Sequence, residues 1–258
     1  IISSYRLKNK VNIYIRNSFI INCLFIIFSV TSIYIGYNRY IGDKYTTKAI
    51  SYKQKNNWNQ VVKNIDKGYN KLLYSIDGTS TPLLWYRGIA NFYQNKLNLA
   101  TVDFQDAYSV NSNHIHVLNN LATLYERAGN YDLAKIYYNK SLSVNPTFKE
   151  VRVNLSAILY NEGKYLEALN IILQSKVEVY WKRQKKNDTY DFYLKTIFNS
   201  YVNSIKNEVS PKEYQSLNDL IDLFENYPMS AEKKIRNVYE ISNNLEISIV
   251  SALLKINV

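Results

Sequence analysis

Cysteine occurs once, as Cys23, so this chain can build neither an internal disulfide framework nor a four-thiolate zinc site. Histidine occurs only as His114 and His116. Two residues apart on a helix, their rings diverge by about 200°, which makes them poor joint metal ligands. Seven glycines and four prolines in 258 residues leave too little turn chemistry for a β-sandwich. No phosphate-cradling glycine loop, G-x-S-x-G elbow, H-E-x-x-H helix or C-x-x-C pair is present. Acid pairs such as Asp103 and Asp106 stand one turn apart and read as exposed helix face. No catalytic group, cofactor or metal is therefore expected in these residues.

What the chain has in excess is positive charge, and the excess is local. Lys plus Arg number 32 against 21 Asp plus Glu, a net charge of +11. Residues 1–80 hold 12 basic and three acidic side chains, while the rest is close to neutral. A nucleic-acid groove would spread positive charge along the whole binding face, so no nucleic-acid partner is expected. A basic segment, residues 1–17, precedes the run SFIINCLFIIFSVTSIYIGY, residues 18–37, which carries no charge anywhere along its length. As a helix this run reaches about 30 Å, the thickness of a hydrocarbon core. It is expected to be a transmembrane helix, with Cys23 a small apolar group at bilayer depth and Tyr34, Tyr37 and Tyr40 in a headgroup layer. Anionic headgroups then account for the flanking basic residues. Arg6, Lys8, Lys10 and Arg16 precede the span, and Arg39, Lys44, Lys48 and Lys53 follow it, partly offset by Asp43; the positive-inside rule tips the N-terminus to the cytoplasm.

Beyond the span the sequence repeats at even intervals. Ala100, Ala134 and Ala168 share one spacing, and the same spacing relates Gly88, Ala122 and Ser156; Phe104, Tyr138 and Ile172; and Asn95, Gly129 and Gly163. A period of about 34 residues is that of a helix-turn-helix unit. Small residues let two antiparallel helices approach, the large side chains of Leu97, Tyr131 and Tyr165 cover the seam, and ERAGNY and NEGKYL supply the turns. An earlier, degenerate copy covers residues 42–80, with Tyr45, Ala49, Tyr52, Trp58, Val61 and Ile65 in register and a connection five residues longer across YSIDGTSTP.

Residues 115–148, IHVLNNLATLYERAGNYDLAKIYYNKSLSVNPTF, resemble a tetratricopeptide repeat, with Leu118, Leu121, Ala122, Tyr125, Gly129, Tyr131, Ala134, Tyr138 and Pro146 in place. The flanking copies match less fully: Arg87, Asn91 and Arg152 stand where the repeat prefers apolar side chains, so their first helices are expected to pack more loosely. The resemblance implies an all-α fold, in which the transmembrane helix is followed by a tetratricopeptide-type solenoid of about four helical pairs over residues 42–180. The period then stops. WKRQKKND, residues 181–188, reads as a solvated linker, and amphipathic helices near 190–206, 211–226 and 231–256, the last broken near Asn243 and Asn244, form a C-terminal helical cap over 190–258. Ser210, Pro211 and Glu213 carry a capping box.

In such arrays the first helix of each pair lines a concave face. The resemblance therefore points Trp85, Ile89, Phe92, His116, Asn119, Thr123, Glu126, Arg127, Asn154 and Tyr160 at a protein or peptide partner, with Val153 and Ala157 beside them. Trp85, Ile89 and Phe92, at i, i+4 and i+7, either bury an apolar ligand or pack on the preceding copy. Carboxylate capture of the chaperone-tail kind is not expected, because only Asn120 matches its residues. The stretch from Thr81 to Tyr131 is also similar to the repeat tails of bacterial O-antigen ligase or polymerase-like membrane proteins. That similarity implies a glycan-transferring parent whose catalytic spans lie elsewhere, with the repeats on the non-cytoplasmic side of a bacterial inner membrane. The other reading is a complete single-span adaptor for envelope assembly. Both make this chain a scaffold without chemistry of its own.

Overall fold

The computed structural model describes residues 2–174 and 189–244, with side chains from residue 18 onward except at 225, 226, 228, 229 and 241–244. Eleven helices are described and no strand is. They fall into two compact units, Ile1–His114 and Ile115–Val258.

The first unit opens with α1 (Ile2–Gln54), a single helix of 53 residues. Its apolar stretch is bare: Phe19, Leu24, Phe25, Phe28 and Ile33 are all exposed, and the most apolar window, of mean hydropathy 2.1, has none of its residues buried. From Gly42 the same helix changes character and buries one side, at Gly42, Thr46 and Ala49. That side meets α2 (Trp58–Gly68), which returns antiparallel and buries Val61, Asn64 and Ile65. So the segments that composition separates at residues 37 and 42 are one uninterrupted rod. The second hairpin is α3 (Leu83–Tyr93) and α4 (Leu97–Val110), and α3 packs on both α2 and the end of α1.

The second unit repeats the hairpin twice, as α5 (Ile115–Arg127) with α6 (Tyr131–Val144) and α7 (Lys149–Asn161) with α8 (Tyr165–Leu173). Helices α9 (Thr189–Ser204), α10 (Pro211–Asn226) and α11 (Pro228–Asn244) follow. Helix α9 lies on α7 and α8 and buries Leu194, Ile197, Phe198 and Tyr201 against that core, covering the end of the hairpins as expected. Ser210 accepts from the Glu213 N–H and the Glu213 carboxylate accepts from the Ser210 N–H, completing the capping box. Helix α11 is tied back by Arg236, which donates to the Leu173 carbonyl, to the Tyr190 hydroxyl and to Glu232 one turn earlier. Residues 181–188 and the far end of the last predicted helix lie outside the described residues.

The repeat register survives as geometry. Ala100, Ala134 and Ala168 are completely buried where paired helices cross. Every hairpin turn carries one residue in the left-handed region, Asn56, Asn95, Gly129 or Gly163, with φ between 54° and 75°. The step from Asn56 to Asn95 exceeds the later steps by the extra length of the first connection, so the degenerate copy keeps the same turn. The cost of αL backbone is small for Gly and Asn, which explains why those two types share the position.

Two expectations about packing fail. Asp103 is not on an exposed face: it is 2% exposed, buried between α3 and α4. Arg87 donates from Nε and Nη2 to its Oδ1 at 2.9 and 2.6 Å, Asn91 donates to its Oδ2 at 2.8 Å, and Arg87 Nη1 reaches Asp66 at 2.7 Å. Burial disfavours the Arg87 charge, but the hydrogen bonds to Asp103 and Asp66 outweigh it and raise the guanidinium above its ordinary value. Nor is the seam at Arg152 loose. Its guanidinium is buried and donates to the carbonyls of Pro146 and Ile171 and to the Gln174 side chain. Polar residues at apolar positions are satisfied, as buried polar groups must be, and they tie the hairpins together.

Candidate interaction surfaces

In the second unit, α5 and α7 bring several of the predicted contact residues into one polar strip. Asn154 donates to the Asn119 side chain at 3.3 Å. The Thr123 hydroxyl donates to the Asn119 carbonyl one turn back, and stands 3.2 Å from the hydroxyl of Tyr138. Tyr138 donates to Glu126 at 2.7 Å. Its ring is completely buried under the seam, and burial first, then the Glu126 carboxylate, pushes the phenol well above its ordinary value. A core tyrosine thus holds the Glu126 carboxylate in place, and Asn119, Thr123, Glu126 and Asn154 remain half-buried, reachable from solvent.

The other predicted residues are placed differently. His116 is exposed and sets its ring edge-on to Phe148 at 5.2 Å. Arg127 is exposed at the end of α5. Tyr160 turns to the cap: its ring lies 5.5 Å from Tyr165 and its hydroxyl accepts from Ser200 of α9. In the first unit, Ile89 is 8% exposed and belongs to the core. Trp85 is half-buried beneath the Lys53 ammonium, 5.1 Å from its ring, with an edge on Tyr86 and His114 at 5.8 Å. Phe92 is half-buried and meets Tyr93 edge-on, while Tyr93 stacks flat on Trp58 at 4.5 Å. The aromatic group at 85–93 therefore chiefly packs α3 onto the preceding hairpin, one of the two alternatives open from the sequence.

The first unit also holds a surface that composition did not reveal. Between α1 and α2 runs a groove of about 390 Å³ lined by Lys48, Lys55, Lys63 and Lys67, with no carboxylate among its lining residues. Tyr45 forms its floor, and the ammonium groups of Lys48 and Lys67 each stand 5.6 Å from that ring. The signal was present as spacing: Lys48 and Lys55 are seven residues apart, Lys63 and Lys67 four, so each pair shares a helix face. Rising at 1.5 Å per residue, Lys55 stands about 27 Å along the axis beyond Tyr37, where the uncharged run ends. Among the described residues no cluster of His, Cys, Asp or Glu forms a metal site.

With this geometry in hand, the comparisons are specific about the repeat. The model of the tetratricopeptide repeat matches residues 116–148. Residues 116–148 are a tetratricopeptide repeat. Solved structures extend the likeness: a point mutant of MamA is 19% identical, covering 70% of this chain and 91% of its own length, with a TM-score of 0.50. MamA of strain AMB-1 is 21% identical over 74% and 93%, at 0.49, and a tetratricopeptide repeat protein from Parabacteroides merdae is 17% identical over 84% and 98%, at 0.46. At such identities the likeness concerns the fold, which is all-helical and built from tetratricopeptide-type hairpins. None of the curated proteins matches the chain. Nothing in these findings bears on the similarity to ligase tails.

Proposed function

We propose that this chain is a membrane-tethered scaffold whose repeats dock protein partners, without chemistry of its own. The observation that carries the reading is the continuity of α1. Its exposed apolar stretch passes without a break into a face that builds the first hairpin core, so whatever holds the stretch also holds the repeats. An isoleucine- and phenylalanine-rich surface of this length exposed to water would be a strong aggregation liability, whereas in hydrocarbon it is at rest. The partner surfaces are the strip Asn119–Thr123–Glu126–Asn154, whose amide and carboxylate groups suit a polar peptide backbone, and the lysine groove, which suits an acidic segment. In this reading the N-terminal flank is cytoplasmic and the repeats stand on the non-cytoplasmic side, as in a bacterial inner membrane.

Two measurements test it. The chain should stay in the membrane pellet after alkaline carbonate, and replacing Phe25 and Phe28 by Lys should release it; release of the unaltered chain refutes the tether. Photo-crosslinkers placed at Asn119 and at Lys63 in intact cells should each give discrete protein adducts absent from Ile136, on the exposed side of α6. Equal labelling from all three sites would refute docking at these surfaces. A reporter fused after Val258 that is active only in the cytoplasm would overturn the orientation.

A further inference from the structure

The connection after α2 forms a small hairpin at the point where the apolar stretch of α1 ends. Asn70 and Tyr74 exchange two backbone hydrogen bonds of 3.1 and 2.8 Å, and the Asn70 side chain accepts from the N–H groups of Leu72 and Leu73, so the apex is preformed. The hairpin is latched to α1 at three levels. Asn70 donates to Asn38 at 3.4 Å, the Tyr74 hydroxyl donates to Asp43, and the Tyr74 ring lies so close over Gly42 that a Cβ there would overlap it. What this rigid apex presents to solvent is Lys71 and Leu72, the latter 91% exposed.

A single exposed leucine is ordinary, but this one is held at a particular height. Its anchor, Asn38, is the residue after Tyr37, where the uncharged run ends, and Tyr34, Tyr37 and Tyr40 are all exposed around it. Arg39 and Lys44 share that end of the helix. An apolar tip beside a lysine, set among exposed tyrosines and basic side chains at the end of an apolar rod, matches the chemistry of a headgroup layer. We propose that the Asn70–Tyr74 hairpin is a second membrane contact, in which Leu72 enters the headgroup–acyl boundary and Lys71 meets anionic lipid. The occupant is the bilayer itself, since the hairpin is anchored at Asn38, one residue past the exposed uncharged run of α1. This rests on the membrane tether proposed above. Its consequence is orientational: one helix alone leaves the first unit free to tilt over the surface, and a second contact off the helix axis limits that tilt.

The test uses the full chain with Cys23→Ser and one new cysteine at a time, Phe28→Cys, Leu72→Cys or Leu99→Cys, labelled with a polarity-sensitive fluorophore. Each is reconstituted into phosphatidylcholine–phosphatidylglycerol vesicles containing spin-labelled lipids, either in the headgroup or deep in the acyl chain. Leu99 is exposed near the turn between α3 and α4, the end of that hairpin away from the Asn70–Tyr74 apex, and serves as the water-side reference. The expected result is deep quenching at 28, at least about twofold quenching by the headgroup label at 72, and none at 99. If 28 is quenched while 72 behaves like 99, the second contact is refuted and the tether stands. If 28 is not quenched by the deep label, the tether itself fails and the hairpin contact with it.

Discussion

The two units solve the same packing problem with opposite chemistry. Three neighbouring repeat positions are occupied by Arg87, Asn91 and Asp103 in the first unit. One repeat further along they hold Leu121, Tyr125 and Tyr137, and in the next copy Leu155, Leu159 and Ile171. In the first case the helices are joined by a buried carboxylate with three hydrogen bonds. In the second, Tyr125 and Tyr137 stack at 5.4 Å and 19°. In the third, aliphatic side chains close the seam, with Leu155 and Leu159 buried. The same inversion occurs within the second unit at Arg152, whose register equivalents are Leu84 and Leu118. In this architecture the same three seam positions are filled by an apolar set or by a polar one whose members are paired, and theory assigns the largest cost to leaving the polar set half paired.

The sharpest way to break the comparison is to leave the clamp half made. Asp103→Ala leaves Asn91 without its acceptor and Arg87 with Asp66 alone, and is expected to destabilise the first unit by about 3 kcal/mol. Urea unfolding of the full chain in detergent, read by fluorescence, checks it, since Trp58 and Trp85 both report from that unit. Converting the whole clamp to its second-copy counterpart, with Arg87→Leu, Asn91→Tyr and Asp103→Tyr together, should recover most of that loss. A triple variant weaker than the single one would show that the two chemistries are not interchangeable.

A second contrast lies beside the clamp. Gly88 corresponds to Ala122 and Ser156, yet a Cβ at 88 would stand 2.5 Å from the Phe104 ring. Gly88→Ala should therefore cost about 2 kcal/mol by overpacking, and Phe104→Leu in the same chain should relieve part of it, seen as a partial return of the melting temperature. Tyr138→Phe removes the phenol that reaches Glu126 and Thr123, with an expected loss of about 1 kcal/mol at neutral pH. Its pH dependence has a definite sign. The folded-state value of Tyr138 is raised, so its contribution is complete below about pH 10, the unfolded value, and falls away as pH rises above it. The phenylalanine variant should show a shallower alkaline loss of stability than the parent chain. The smallest effect belongs to the surface network in which Lys135 and Lys164 hold Glu162 at 2.7 and 2.9 Å and lower its carboxyl below the ordinary range. That network is solvent-screened, and Glu162→Gln should move stability by about 0.5 kcal/mol or less in a salt series.

Period and composition make the hairpins legible. Buried alanines one repeat apart, one left-handed residue per turn and a capping box at Ser210 are local or nearest-neighbour requirements, and each leaves its mark on a particular residue type. The contact surface is legible only in part. Asn119, Thr123, Glu126 and Asn154 come together because i, i+4 and i+7 spacing on α5 and a step of 35 residues to α7, one more than the repeat, set them side by side. Ile89 and Tyr160, chosen by the same register, serve the core and the cap, because exposure depends on what the neighbouring element covers and no spacing within a repeat encodes that. The lysine groove was legible as two stripes but not as one cavity, since pairing α1 with α2 face to face is a tertiary event.

By itself, then, the sequence determined the helical hairpin unit, its length, its turns and the bare apolar run, because each follows from steric preference and hydrophobic period along one stretch of chain. Only the tertiary structure decided that Asp103 is a buried partner and not a surface acid, that α1 passes unbroken from the apolar run into the first hairpin, and that Leu72 is held at its end. Those three facts depend on which side chains from distant stretches meet, and the free energy of a buried charge or a latched loop is set by those partners alone.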